Sequence, residues 1–305
     1  MQALLSTIAT MALPQDATRI FHGRGGLHPG CEHWSLDAYP PVWVLTSFKE
    51  VPPDEVAVIQ AALAQRLAQL DPQATLNAVF QTRLEGRAVT SLLCGEVSDP
   101  HIVSEQGTRY RVHVLRGQNH GLFLDMANGR QWVRAHAAKT PGMKVLNLFV
   151  YTCGFSVVAL QAGARSVVNV DMSAGALAIG QDNHPLNGVR GGASFMAHDI
   201  FSSWGKINRH GPYDLVIVDP PSYQKGSFVA TKDYARLIKR LPDLLDAGGH
   251  AVLCLNAPEL GLDFVQSQVE ALAPELRFVQ RVANPEVFAD IDNDRALKVL
   301  VYAAN

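Results

Sequence analysis

The sequence predicts an α/β protein: a mostly parallel sheet that ends in an antiparallel strand, preceded by a small α+β domain. Two observations carry this. From Val145 onward, short apolar runs alternate with helix-spaced segments, the pattern of parallel strands covered on both faces. That alternation then stops, and two strands follow each other with no amphipathic segment between them, which makes them antiparallel. Together these describe a Rossmann-like sheet with an antiparallel last strand.

The elements follow in order. VLNLF (145–149), VVNV (167–170), SFMA (194–197), LVIV (215–218) and HAVLCL (250–255) are buried-strand runs. Helical spacing covers Phe155 to Ala164, then Ser173 to Asn187 with Ser173 as N-cap, then Thr231 to Asp246, where Pro242 divides the helix. LRFVQRV (276–282) and ALKVLVYA (296–303) are the final pair, joined by the excursion ANPEVFADIDNDR. In front, VWVLTSF (42–48), a helix from Asp54 to Leu70, LNAVFQTR (76–83), VTSLLCGEV (89–97) and RYRVHVL (109–115) make the small α+β unit. The expected organisation is an N-terminal arm or loop over 1–38, a small α+β domain over 39–116 that is a candidate for substrate recognition, and the α/β domain over 117–305.

Composition bounds the function classes. The chain has 305 residues, 48% apolar and 18% charged, with a net charge of −2. No run approaches the roughly eighteen apolar residues that a membrane helix needs, and the start lacks the basic residues of a secretory signal. Cys31, Cys94, Cys153 and Cys254 are far apart without CxxC spacing. That argues against a zinc site or a disulfide framework and fits a reducing cytoplasm. Near-neutral charge does not by itself point to nucleic acid, but Arg109, Arg111, Arg116, Arg130, Arg134 and Lys139 stand against the single acid Asp125 in the stretch 108–139. Such a run is either a phosphate-facing surface or a solvated face.

The chemistry falls at successive strand ends, where ligands bind in open α/β sheets. The turn V-Y-T-C-G-F (150–155) follows the first strand and lacks the G-x-G-x-x-G dinucleotide fingerprint. Asp171 follows the second strand, where a carboxylate accepts both hydroxyls of a ribose or caps the next helix. Asp199 follows the third, placed to meet an adenine amino group or to cap in its turn. D-P-P-S-Y (219–223) follows YDLVIV, and its two prolines make a rigid exposed turn. There Asp219 and the Pro220 carbonyl can accept hydrogen bonds from a base and Tyr223 offers a stacking face worth roughly 1–3 kcal/mol, or the turn simply ends the strand.

These residues resemble the family of bacterial large-subunit rRNA methyltransferases that includes cytosine-C5 and guanine-N7 enzymes. The resemblance covers roughly residues 100–305, in V-S-E-Q-G-T-R-Y (103–110), G-Q-N-H-G-L-F-L-D-M-A-N-G-R (117–130), V-L-N-L-F-V-Y-T-C-G-F (145–155) and D-P-P-S-Y (219–223). It implies a class I methyltransferase fold and S-adenosylmethionine as cofactor, with no metal. Phe123, Asp125 and Arg130 would lie over that cofactor. Phe149, Tyr151, Thr152 and Gly154 would cradle its methionine part, while Asp171, Asp199 and Asp219 complete the set. His120, Met126 and Ala127 depart from the family pattern. Some relatives carry a complete N-terminal RNA-binding domain of the PUA type, and the stretch before Tyr39 is short for one.

The resemblance also bears on the reaction. C5 transfer needs a cysteine thiolate after the fifth strand. In H-A-V-L-C-L-N-A-P (250–258) that position is Asn256, and Cys254 lies two residues earlier in the strand body. The expectation is therefore methylation of a base nitrogen in rRNA, with Asp219, Pro220, Pro221, Tyr223 and Asn256 as the catalytic set. The alternatives are cytosine-C5 transfer through Cys254, or a protein or small-molecule substrate. RNA is the expected partner, and the apolar strands of the front unit could pair with a second copy.

Overall fold

The computed structural model describes residues 1–85, 87–224 and 228–305. The chain divides into two units: Met1–Asp125 with Pro285–Asp292, and Met126–Asn284 with Asn293–Asn305.

The first unit contains α1 (Gln2–Thr10), β1 (Thr18–His22), β2 (Trp34–Tyr39), β3 (Val42–Ser47), α2 (Pro53–Leu70), β4 (Asn77–Leu84), β5 (Arg87–Cys94) and the hairpin β6 (His101–Glu105) and β7 (Thr108–Val112). Its sheet runs β1-β2-β3-β4-β5. Only β3 and β4 are parallel, because α2 crosses over between them. Pro53 at the start of α2 presets the first turn, and Asp54 and Glu55 favour its positive end. Val56, Ile59, Leu63 and Leu67 form its buried stripe. They meet Leu4, Ile8, Trp34, Leu36 and Leu45 in one core.

Two features of this unit differ from the sequence reading. Residues 1–38, expected as arm or loop, hold a helix and two strands, because Leu4 and Ile8 give α1 a buried face one turn apart. The excursion between the last two strands lends Pro285–Asp292 to this unit. Phe288 is the reason: it is buried with Tyr39, Val42 and Val44.

The second unit contains α3 (Ala127–Lys139), β8 (Lys144–Leu148), α4 (Gly154–Gln161), β9 (Ser166–Asp171), α5 (Ala174–Leu186), β10 (Ala193–Ala197), α6 (Trp204–Asn208), β11 (Tyr213–Val218), the short pair β12 (Tyr223–Gln224) and β13 (Phe228–Val229), α7 (Ala230–Ile238), α8 (Leu241–Leu244), β14 (Leu245–Leu255), α9 (Leu262–Leu272), β15 (Leu276–Val282) and β16 (Lys298–Ala304). The sheet order is β10-β9-β8-β11-β14-β16-β15. The first five strands are parallel, and β16 is antiparallel to both neighbours. This is the predicted sheet. Strand alternation sends Leu146, Leu148, Val216, Val218 and Leu253 to one helical layer with Tyr234, Leu237 and Val265. Val145, Leu215, Ile217 and Val252 go to the other, with Val133, Phe155 and Val158. The long helix expected over Thr231–Asp246 is broken into α7 and α8, with Pro242 at the start of the second. No helix among the described residues is long and apolar enough to cross a membrane.

The basic run of 108–139 is exposed only in part. Arg109 and Arg116 are exposed, Arg111 lies 3.8 Å from Asp99, and Arg130 is buried.

Burial sets the acid sensitivity of the fold. His22, His120 and His136 are all pulled down from the ordinary 6.5 to about 4, chiefly because burial penalises the charged ring. In the unfolded chain they take up protons near pH 6.5, whereas in the folded chain they resist until about pH 4. Stability is therefore fully present above pH 6.5 and falls as the pH drops through that window. His120 alone, almost fully buried, accounts for about 3 kcal/mol. Calorimetry at pH 7.5 and pH 5 should show a markedly lower Tm at the acid value; equal Tm values would refute this.

Candidate active site

The strand order reverses at β8, with β9 and β10 on one side and β11 and β14 on the other. The predicted residues stand at the carboxyl ends of these five strands. Across the sheet the order is Asp199 after β10, Asp171 at the tip of β9, the turn after β8, Asp219 after β11, and Asn256 after β14. At a strand spacing of about 4.8 Å, this edge spans about 19 Å.

The turn after β8 is backbone held under strain. Phe149, Tyr151 and Cys153 adopt left-handed φ values of 58°, 49° and 64°. For side-chain-bearing residues this costs of order 1–3 kcal/mol each. Its neighbours hold the turn in place. The Phe149 amide donates to the Val170 carbonyl (3.0 Å), and the Cys153 amide to the Val150 carbonyl (2.8 Å). Asn183 Nδ2 donates to the Thr152 carbonyl (3.0 Å). Gly180 of α5 permits this approach, since a Cβ there would lie 2.4 Å from Cys153 Sγ. The Phe149 ring packs edge-on against the buried Phe228, 5.3 Å between centroids. Gly154 then begins α4. Burial raises the Cys153 thiol far above its ordinary range, which makes it an inert packing group.

Asp171 is tied into the same turn. Its Oδ2 accepts from the Tyr151 amide (2.9 Å) and its Oδ1 from the Ser173 amide (2.8 Å). The helix cap is Ser173, whose Oγ accepts from the Ala176 amide (3.2 Å). Asp171 thus spends one lone pair per oxygen on backbone donors and keeps acceptor capacity on each. Asp199 caps the 3-10 turn Ile200–Ser202, with Oδ1 accepting from the Phe201 amide (3.1 Å).

At the end of β11, Pro220 is buried and Asp219, Pro221 and Ser222 are half-buried. Tyr223 stands 67% exposed, an aromatic face presented to solvent. Asn256 is exposed just past β14, whereas Cys254 is fully buried within it. Phe123 (39% exposed) and Asp125 close the first unit, and Arg130 lies in the first turn of α3.

Two structural devices at this edge escaped the sequence reading. A buried chain of polar groups runs beneath the turn. Asn147 Nδ2 donates to Asn169 Oδ1 (3.2 Å), Asn169 Nδ2 donates to Ser156 Oγ (3.0 Å), and Ser156 meets His184 Nε2 (2.9 Å). His184 Nδ1 contacts the Gly180 carbonyl (2.6 Å), which can only accept. In the neutral ring the proton therefore sits on Nδ1 and Ser156 donates to Nε2; burial lowers the His184 pKa. The second device is Lys298, fully buried, whose Nζ donates to the Ala257 carbonyl (3.1 Å) beside Asn256. A lone lysine opening the run K-V-L-V-Y-A was the signal available.

This edge offers a carboxylate braced by two backbone amides and a backbone turn stripped of bulk at Gly154. The family model of the S-adenosylmethionine-dependent methyltransferases matches residues 18–303. The chain belongs to that family. Among its relatives is ribosomal RNA large subunit methyltransferase I of Aeromonas hydrophila, 35% identical over 169 residues, 53% of this chain and 42% of the relative. Another is ribosomal RNA large subunit methyltransferase K/L of a Psychrobacter species, 36% identical over 171 residues, 53% of this chain and 21% of the relative. The chain thus spans less than half the length of these curated relatives. The solved structure of SMU.776 complexed with SAH has the same fold, with a TM-score of 0.82 at 23% identity over 99% of this chain and 81% of that one. The family's cofactor is S-adenosylmethionine, and the donor set at the sheet edge fits it.

Proposed function

We propose that this methyltransferase-family protein methylates a base nitrogen in rRNA, in the cytoplasm, and that the small first unit helps recognise the substrate. The observation that carries the reading is spatial order. Adenine, ribose, methionine and the acceptor follow one another along the reacting pair, and Asp199, Asp171, the 149–154 turn and Asp219 follow one another along the sheet edge. The names of the relatives support rRNA as the substrate class.

Bound S-adenosylmethionine supplies an electrophilic methyl group. The chain's own part is positioning, which alone is worth several powers of ten when the attacking atom is held in line. Asp171 would hold the ribose, Asp199 the adenine end, and Phe149, Tyr151, Thr152 and Gly154 the amino-acid end. Phe123, Asp125 and Arg130 complete the cofactor set by resemblance. Asp219 and the Pro220 carbonyl would accept from the amino or ring N–H of the base and so aim its nitrogen lone pair. Pro221 keeps the turn rigid, Tyr223 stacks on the flipped base, and Asn256 can donate and accept at its edge. A nitrogen lone pair needs no covalent enzyme adduct, in keeping with the exposed Asn256 and the buried Cys254.

The test is transfer of tritium from methyl-labelled S-adenosylmethionine to unmodified 23S rRNA. Label in an N-methylated nucleoside after digestion is the expected result. Label in a 5-methylcytidine would establish the C5 alternative, and label that survives RNase in protein would overturn the RNA reading.

A further inference from the structure

The amino-terminal edge of the second unit's sheet, opposite the edge that carries Asp171 and Asp199, has a cleft of its own. It is open to solvent, about 580 Å³ in volume, and lies where β9 and β10 begin. Arg134 of α3, Arg165 just before β9 and Arg190 in the loop before β10 line it, and no aspartate or glutamate does. Three cations thus converge from three separate stretches of a chain whose net charge is −2.

Two of the three are exposed and uncompensated. Neither Arg165 nor Arg190 makes a side-chain hydrogen bond or ion pair among the described residues. Elsewhere the chain does pair its arginines, Arg19 with Asp37, Arg236 with Asp233 and Arg240 with Asp243. Arg134 is half-buried and donates to Gln161 Oε1 (3.1 Å), while Gln161 Nε2 donates to Asn187 Oδ1 (3.3 Å). That chain of contacts ties α3, α4 and the end of α5 together along the cleft wall. The loop N-G-V-R-G-G (187–192) then presents backbone in place of bulk. Gly192 has φ of 83°, and a Cβ there would meet the Arg165 carbonyl at 2.8 Å, so only glycine lets the loop lie against Arg165. The amides of Arg190, Gly191 and Gly192 donate to no group among the described residues. Gathered like charges and successive unbonded amides favour an anion, and planar guanidinium forks match the oxygens of a phosphate.

We propose that Arg165 and Arg190 hold a backbone phosphate of the RNA substrate at a point remote from the reacting base. This rests on the reading of the substrate as RNA. Asp171 stands six residues from Arg165 along β9, about 20 Å of extended chain. The contact is therefore an anchor for a second stretch of the RNA, beyond the nucleotide at the opposite edge. An open cleft suits a continuous chain that enters and leaves, whereas small ligands are mostly enclosed. Phosphate contacts of this kind fix register and orientation and carry no sequence information.

The test is filter binding of in vitro transcribed 23S rRNA to the full chain over about 50–200 mM salt. It compares wild type with the double variants Arg165→Gln/Arg190→Gln and Arg165→Lys/Arg190→Lys. One phosphate contact contributes about 0.7–0.9 to the slope of log affinity against log salt. The glutamine variant should bind about tenfold more weakly at the lowest salt, with a slope shallower by roughly that amount. The lysine variant, which keeps the charge, should keep the wild-type slope. Affinity for S-adenosylmethionine should not change, and the Tm of the glutamine variant should match or exceed that of wild type because repulsion is relieved. A lower Tm together with weaker S-adenosylmethionine binding would show that the arginines serve the fold and would overturn the proposal. Wild-type affinity and slope in the glutamine variant would overturn it while leaving the RNA reading intact. No rRNA binding by wild type would overturn both. Thermal stabilisation by pyrophosphate that the glutamine variant loses, with rRNA binding unaltered, would reassign the cleft to a free phosphate compound and overturn the RNA contact.

Discussion

Asp171→Ala should lose at least about a hundredfold in affinity for S-adenosylmethionine in isothermal calorimetry, with little change in secondary structure. A hydrogen bond to a charged group is worth about 1.5–3 kcal/mol, and about 1.4 kcal/mol is tenfold in affinity. The substitution removes the proposed ribose acceptor and also the brace on the amide of Tyr151, a residue with φ of 49°. Without that brace the turn can relax towards ordinary backbone angles, and its cradle shape is lost before any ligand arrives. Asp171→Asn should fare almost as badly. One of the two carboxylate oxygens would become an NH2 group facing the N–H of either Tyr151 or Ser173, donor against donor. Binding within threefold of wild type in both variants would sink the assignment of Asp171 and the direction in which the cofactor is laid along the edge.

How far this edge could be read from the chain depends on whether a residue's partners lie near in sequence or far away. The alternation of VLNLF, VVNV and LVIV with helical spacing is local, and the parallel strands follow from it. Asp171 and D-P-P-S-Y stand out because polar or rigid residues directly after an apolar run mark a strand tip. Asn147 and Asn169 were passed over for the converse reason. They sit inside apolar runs, and only the pairing of β8 with β9 and the packing of α4 and α5 bring them to Ser156 and His184. Phe288 likewise reads as one residue of a polar excursion until its burial beside Tyr39 and Val44 is known. The basic run of 108–139 shows the same limit. Its charges are neighbours in sequence, but the chain folds Arg130 inward.

Cys254→Ala should leave methyl transfer within about threefold of wild type at 25 °C, while Asp219→Ala should lower kcat by at least about a hundredfold with S-adenosylmethionine binding largely kept. The contrast follows from where the two side chains stand. Cys254 is fully buried in the layer of Leu215, Ile217, Val252 and Val299. Its removal leaves a small cavity whose cost, of the order of 1–2 kcal/mol, falls on stability. Asp219 is half-buried at the end of β11, between the turn after β8 and Asn256 after β14. A carboxylate there acts through geometry, and misplacing a nucleophile by about 1 Å can cost a hundredfold. Asn256→Ala should give an intermediate loss, because in the proposed pose a base held by Asp219 and stacked on Tyr223 keeps two of its three contacts. If Cys254→Ala instead abolished transfer while Asn256→Ala did not, the thiol would have to reach the base through a shift of β14. The reaction would then be C5 chemistry through a covalent adduct, and the assignment of a nitrogen acceptor would fall with it.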